Sequence, residues 1–420
     1  MTIPALRALS ERSFLYLWIG EIFTQIAVNL FNFFLILLVF KETQSNTAVS
    51  GIVLSFTVPA ILFGSIAGVF VDRWNKKKVL IVTNLLRALA LLVLVFFPHN
   101  LFVIYTISFI VTLITQFFIP AESPILPLIV KRENLLSANA LFGMAIFGSI
   151  LVAYILAGPL LSALKPINTV ILLASLFVIS SMFIAFIKLT YAKDPDMKKN
   201  DGKLNIISDL QATISLMLRT KEIFRSLILL ALSQMLVLII ATIAPGYASE
   251  ILGIPVEEFS ILFITPAALG MVLGAITLAN VFNRHSKDKI ITLGIFLSGL
   301  AMLLMPYGSK VSSRDFVHVL NTYLPHFLDI NILHIMMVLA FILGVSNALV
   351  FVPANTILQE KSSEEIRGRL YGFLNTIVGV ISLLPVIIVG GLSDLIGVGT
   401  VITWIGLIII AFGVSRISIK

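Results

Sequence analysis

Four polar side chains interrupt the first apolar run of this chain: Glu21, Gln25, Asn29 and Asn32. Spaced by four, four and three residues, they fall within an arc of about 80° at the ~100° per residue of a helix. They form one stripe, a group that binds and releases a proton followed by three carboxamides that donate and accept hydrogen bonds. It reads either as a ligand path with Glu21 as its protonation site, or as hydrogen bonding that fastens the helix to a neighbour. Arg87, with Asn84 one turn earlier, sits inside another apolar run, where a guanidinium needs a partner; Glu21, Glu122 and Asp72 are candidates. Glu122 closes a run after Pro120-Ala121 and is either a second proton-coupling group or a solvated end. Ser108, Thr112 and Gln116, spaced by four, are placed on the same cavity as the stripe. Gln234, Asn347 and Asn375 are single polar residues in later runs, each a cavity ligand or a packing contact.

The elements that position these groups are long and apolar. Of 420 residues 59% are hydrophobic and only 12% are charged, against about 25% charged in soluble domains. Twelve runs reach the ~20 residues that cross a bilayer: 14–40, 50–71, 79–97, 101–119, 140–164, 168–187, 226–248, 259–282, 290–306, 331–353, 370–391 and 398–414. Continuous apolar runs of this length are helices, because strands would alternate over ~10 residues. The run after Arg7 and Arg12 is too long for a signal-peptide core and reads as span 1. The fold class is therefore an all-α integral membrane protein of twelve transmembrane helices.

With both termini on one side, 24 of the 29 Lys and Arg fall in the termini and the loops on that side. Positive charge marks the cytoplasmic face, which makes both termini cytoplasmic and the net charge of +8 topogenic. Nucleic acid is thereby excluded as a partner. The absence of cysteine excludes disulfides and thiolate metal sites. No phosphate-binding G-x-x-x-x-G-K-[ST] loop, H-E-x-x-H or G-x-S-x-G is present, so neither an ATP motor nor an enzyme is indicated. No cofactor is called for, and His318, His326 and Asp329 in the loop 309–330 lack diagnostic metal spacing.

The longest polar interval divides the chain into a bundle of six spans over 1–187, a linker over 188–225 and a second bundle over 226–420. In the linker Ile207, Leu210, Ile214 and Met217 recur at helical spacing, the pattern of an interfacial amphipathic helix. The halves echo each other: Thr57-Val-Pro59-Ala60 with Ile264-Thr-Pro266-Ala267, and Phe118-Ile-Pro120-Ala121 with Phe351-Val-Pro353-Ala354. Each pair lies in the same ordinal span of its half. Such duplication is typical of carriers that rock two pseudo-symmetric bundles about a midplane site.

The turn between spans 2 and 3 holds Gly68, Asp72, Arg73, Lys76 and Lys77. It resembles the cytoplasmic loop motif G-x-L-a-D-R-x-G-R-K of the major facilitator superfamily, with Phe70 for the leucine and Asn75 for the second glycine. Leu17-Trp18-Ile-Gly20, Arg87-Ala88, Leu126-Pro127, Ser137-Ala-Asn139-Ala140 and Arg367-Gly368-Arg369 are similar to the branch of enterobactin exporters and macrolide efflux proteins. Gly158-Pro159 and a distant Gly148 are all that match the span 5 motif of antiporters, where Tyr154 stands at a glycine position. The resemblance implies a major facilitator fold and a monomeric secondary transporter of the inner (plasma) membrane. It would export a drug, macrolide or siderophore against entering protons. Glu21 and Glu122 would couple protons. Asp72 and Arg73, opposite Arg367-Gly368-Arg369, with Lys76, Lys77 and Arg87, would gate the cytoplasmic side, and no copy of Asp72 is found in the second half, where Ala279 stands. Two other readings of the whole chain are a lipid or lysophospholipid carrier and a non-transporting sensor or scaffold.

Overall fold

The computed structural model describes residues 8–131, 134–189, 220–281, 286–309, 331–362 and 364–418. Twelve helices among them are long and apolar enough to span a membrane. They are α1 (Arg12–Thr43), α2 (Asn46–Arg73), α3 (Lys76–Phe96), α4 (Leu101–Glu122), α5 (Leu135–Ala163) and α6 (Pro166–Ala185). In the second half follow α7 (Lys221–Gly246), α8 (Thr265–Val281), α9 (Lys287–Leu304), α10 (Ile332–Lys361), α11 (Glu364–Ile396) and α12 (Val398–Ser418). Each coincides with one predicted span, and most overrun it at one or both ends because polar end residues also make helical hydrogen bonds; α8 instead starts late, after the π-helical turn Ser260–Ile264. The amphipathic helix expected in the linker and the histidines of the loop 309–330 lie outside the described residues.

The helix ends show why the polar turns have their composition. Asn75, where the loop motif has glycine, is the N-cap of α3 and its side chain accepts from Lys78 N at 3.0 Å. Lys76 Nζ donates to Val71 O at 2.7 Å, at the C-terminus of α2. Lys77 Nζ donates to Ala185 O and Ile187 O, both at 2.8 Å, at the C-terminus of α6. Cations on unsatisfied C-terminal carbonyls are favoured by the helix dipole. Asn331 and His334 form a reciprocal capping box that opens α10.

The repeated prolines differ in setting. Pro120 and Pro353 both lie inside helices, α4 and α10. Pro59 is also internal to α2, but its counterpart Pro266 follows a π-helical turn, Ser260–Ile264, that leads into α8. A second π-helical turn, Tyr247–Leu252, extends α7 and is closed by Gly253 in the left-handed region, φ 64°.

Contacts divide the chain into two units. The first comprises Met1–Leu38 and Leu54–Asp209, the second Val39–Val53 and Leu210–Lys420. The hairpin that joins α1 to α2 thus packs within the second unit. It turns in two residues, with Gln44 at φ 51°, a conformation costly for a residue with a side chain. Lys41 Nζ of this hairpin pairs with Glu257 at 2.5 Å. Partial burial pushes the Glu257 carboxyl up, but the hydrogen bond from Lys41 and the nearby charge outweigh it and hold the group below the usual carboxylate range. A depressed carboxylate contributes its stabilisation at neutral pH and loses it only as pH falls through that lowered value, so this tie persists across physiological pH.

Glycines set the approach of α8 to α10. A Cβ on Gly344 would overlap the carbonyl of Ala267, and one on Gly270 would overlap that of Phe341. Backbone cannot swing aside as a side chain can, so these glycines are required for contact. Gly143 in α5 has open space instead. Gly344→Ala is expected to destabilise the protein by about 1–3 kcal/mol through overpacking, whereas Gly143→Ala should raise stability by ~0.5–1 kcal/mol through helix propensity. Thermal unfolding of the two purified variants in detergent measures both signs.

Candidate functional site

The first unit buries a charge cluster on α1, α3 and α4. Glu21 and Arg87 are wholly inaccessible and Glu122 nearly so. The Arg87 guanidinium lies between two aromatic faces, 4.5 Å from the Phe118 centroid and 4.9 Å from that of Phe177. Its Nε donates to Thr83 O at 3.3 Å, and its two terminal nitrogens have no hydrogen-bond partner. Each desolvated aromatic face contributes about 2 kcal/mol, which does not offset the several kcal/mol of desolvating an ion. The remaining compensation is electrostatic, from the two carboxylates that face it, Glu21 and Glu122. Those two carboxyls are within hydrogen-bonding reach of each other.

A hydrogen-bonded network fixes the helices that carry the cluster. Ser180 Oγ on α6 donates to Gly20 O at 2.7 Å, which leaves it to accept from Asn84 Nδ2 at 2.9 Å and from Thr24 Oγ1 at 2.7 Å. Asn84 Nδ2 also reaches Thr24 Oγ1 at 3.1 Å. Gly20 permits the approach, since a Cβ there would come within 2.9 Å of Ile184 Cγ1. The network ties α1, α3 and α6 together one turn below Arg87.

The stripe on α1 is continuous with the cluster. Gln25 Nε2 donates to Glu21 Oε1 at 2.7 Å, and Asn29 Nδ2 donates to Gln25 O at 2.8 Å and Gln25 Oε1 at 3.3 Å. Glu21 Oε2 is buried without a hydrogen-bond donor. Asn32 is half-buried further along. Phe33, one residue on, meets Tyr154 of α5 in a tilted ring contact with centroids 5.4 Å apart, so the tyrosine at the glycine position packs against α1.

The other candidate residues are dispersed. Ser108 is buried and accepts from Ser55 Oγ on α2 at 2.8 Å, an interhelical bond. Thr112 is half-buried, and Gln116 donates back to its carbonyl at 3.3 Å. In the second unit Asn347 Oδ1 accepts from Ser233 Oγ at 2.8 Å, joining α10 to α7. Gln234 is half-buried and Asn375 is exposed. Gly68 has open space where a Cβ would lie. The side chains of Asp72, Arg73, Arg367 and Arg369, and the surroundings of Gly368, lie outside the described residues. Among the described residues no group of three or more His, Cys, Asp or Glu could hold a metal. Thr24, Phe177 and Ser180 escaped the sequence reading, and Phe118 entered it only as part of an internal repeat. Thr24 lies three residues from Glu21 on the same face and could have been found; the phenylalanines were two among 31.

Twelve spanning helices in two halves, with ionisable groups buried in the first, are the architecture of a secondary transporter. The chain belongs to the Major Facilitator Superfamily, whose sequence profile matches residues 17–322. It is similar to Macrolide efflux protein A of Streptococcus pyogenes, 25% identical over 391 residues that cover 92% of this chain and 90% of that one. It is likewise 25% identical over 341 residues to Macrolide efflux protein A of Enterococcus faecalis, with 79% and 98% covered. The crystal structure of the nucleoside transporter NupG superposes with a TM-score of 0.72 at 12% identity, over 97% of this chain and 98% of that one, a likeness of fold alone.

Arg87→Met leaves two buried carboxyls without their cation and should destabilise the protein by about 3–5 kcal/mol. Adding Glu21→Gln should restore part of that loss. A double-mutant cycle by thermal unfolding in detergent reads the coupling, and additive effects would disprove it.

Proposed function

We propose that this protein exports an amphipathic small molecule from the cytoplasm in exchange for entering protons. The bodies that move would be the bundles 1–187 and 226–420, joined by 188–225, in a plasma membrane with both termini cytoplasmic. The observation that carries the reading is the buried pair Glu21 and Glu122 facing one Arg87. One guanidinium balances one carboxylate. A second carboxylate beside the first repels it, so the pair holds one proton between them until another favourable charge or dipole arrives. The hydrogen-bonded chain Glu21–Gln25–Asn29 gives that proton a connection to the stripe where an amphipathic ligand would bind.

Macrolides are the first candidate substrates, because the relatives that cover most of the chain carry macrolide efflux in their names. In proteoliposomes with an imposed pH gradient, the wild type should accumulate a radiolabelled macrolide. Glu21→Gln should bring gradient-driven accumulation down to that of protein-free liposomes while leaving gradient-independent counterflow in place. Accumulation that survives Glu21→Gln would remove the proton-coupling assignment.

A further inference from the structure

The α1–α2 hairpin is fastened to the C-terminal end of α11 by one carboxylate. Asp394 accepts four hydrogen bonds from three residues of that hairpin. Ser45 Oγ donates to Oδ2 at 2.6 Å and Thr47 N to Oδ2 at 2.9 Å; Asn46 N donates to Oδ1 at 2.7 Å and Asn46 Nδ2 at 3.0 Å. Ser45 Oγ in turn accepts from Ala48 N at 3.2 Å. Three of the first N–H groups of α2 are therefore satisfied, two of them by an acid that belongs to another helix. Asp394 lies in the last turn of α11, where its own helix dipole disfavours a negative charge. The positive end of α2 is what stabilises it there.

The surrounding fit is built for close contact. Ser50 Oγ donates to Val386 O at 2.9 Å, and a Cβ on Gly390 would overlap that same hydroxyl oxygen. Gly246 of α7 makes room for the Asn46 side chain, with a Cβ there coming within 2.8 Å of Nδ2. The strained Gln44 backbone holds the two-residue turn that presents Ser45, Asn46 and Thr47. Lys41–Glu257 is a second tie on the same hairpin.

We propose that Asp394 is a clasp that must open and close once in each transport cycle, on the face opposite the basic loops. A carrier that alternates must expose its site on each side in turn, and charged hydrogen bonds at a helix end are strong, few and reversible. The carboxylate supplies the hold and the neutral glycines supply the fit, so release needs no side chain to be pulled from a packed core. The proposal rests on the transporter class alone and stands whether or not the cycle is coupled to protons.

The protein has no native cysteine, so single cysteines can be placed without other changes. Val49→Cys puts a buried thiol in the hairpin. In vesicles that expose this face, its labelling by a membrane-impermeant maleimide should be slow. Adding Asp394→Ala should speed it by about tenfold or more, and Asp394→Asn by less, since the amide still accepts hydrogen bonds but carries no charge. In the double variant Ser45→Cys with Asp394→Cys, oxidation should stop macrolide counterflow and dithiothreitol should restore it. Unchanged labelling in both Asp394 variants, each verified as folded by its melting curve, overturns the clasp. So does counterflow that continues in the cross-linked protein. If macrolide is not a substrate of the wild type, the labelling arm alone decides.

Discussion

A cation inside an apolar bundle is the constraint around which the first unit is organised. Arg87 costs about 3 kcal/mol or more to place at the middle of a membrane span. Everything packed against it answers that cost. Phe118 and Phe177 cover its faces, Glu21 and Glu122 supply opposite charge, and the Asn84–Thr24–Ser180 network holds α1, α3 and α6 at the required spacing. Replacing the whole cluster of Arg87, Glu21 and Glu122 by apolar residues of similar volume is often neutral or stabilising for such groups, whereas removing the arginine alone strands two buried carboxyls.

The second unit is held by different means. Glycine against backbone sets α8 on α10, and a single carboxylate with glycines around it sets α11 on the α1–α2 hairpin. Lipid does not drive such helices together as water drives a soluble core, so close backbone approach and polar bonds carry the association. The ion pairs at the ends of the second unit, Arg225 on Asp288 and Lys287 on Glu360, involve partly exposed groups, whereas the Arg416 side chain that also reaches Asp288 is buried. Exposed pairs contribute little stability.

The twelve spans were legible because bilayer thickness imposes a length that the apolar runs display openly. The α1 stripe was legible for the same reason: polar groups on one arc stand out from an apolar background. Arg87 announced a need for partners, and two of the three acids considered face it, Glu21 and Glu122. What enclosed it was hidden, because a phenylalanine that covers a guanidinium looks in sequence like one that faces lipid. Ser108 and Asn347 carried no mark to separate an interhelical bond from a cavity ligand. Asp394 was overlooked since an acid near the end of an apolar run reads as an interfacial charge. Only three-dimensional proximity of the start of α2 to the end of α11 reveals its partners. Lys76 and Lys77 were read as gate and topology signals, and their bonds to helix C-termini depend on where α2 and α6 end.

The enclosure of Arg87 also has a history in time. Phe118 arrives on the next span, but Phe177 is encoded some ninety residues downstream of the arginine. At ordinary synthesis rates that interval is on the order of ten seconds. During it, α3 carries a guanidinium with at most one aromatic face and no completed network, because Ser180 belongs to the same late helix. Lipid is a poor place to wait. The third helix therefore has reason to remain beside the insertion machinery, or against α1 with Glu21, until α6 is made. The first bundle then closes as a set rather than one helix at a time, and a chain stopped before α6 leaves a charged helix that membrane quality control can recognise.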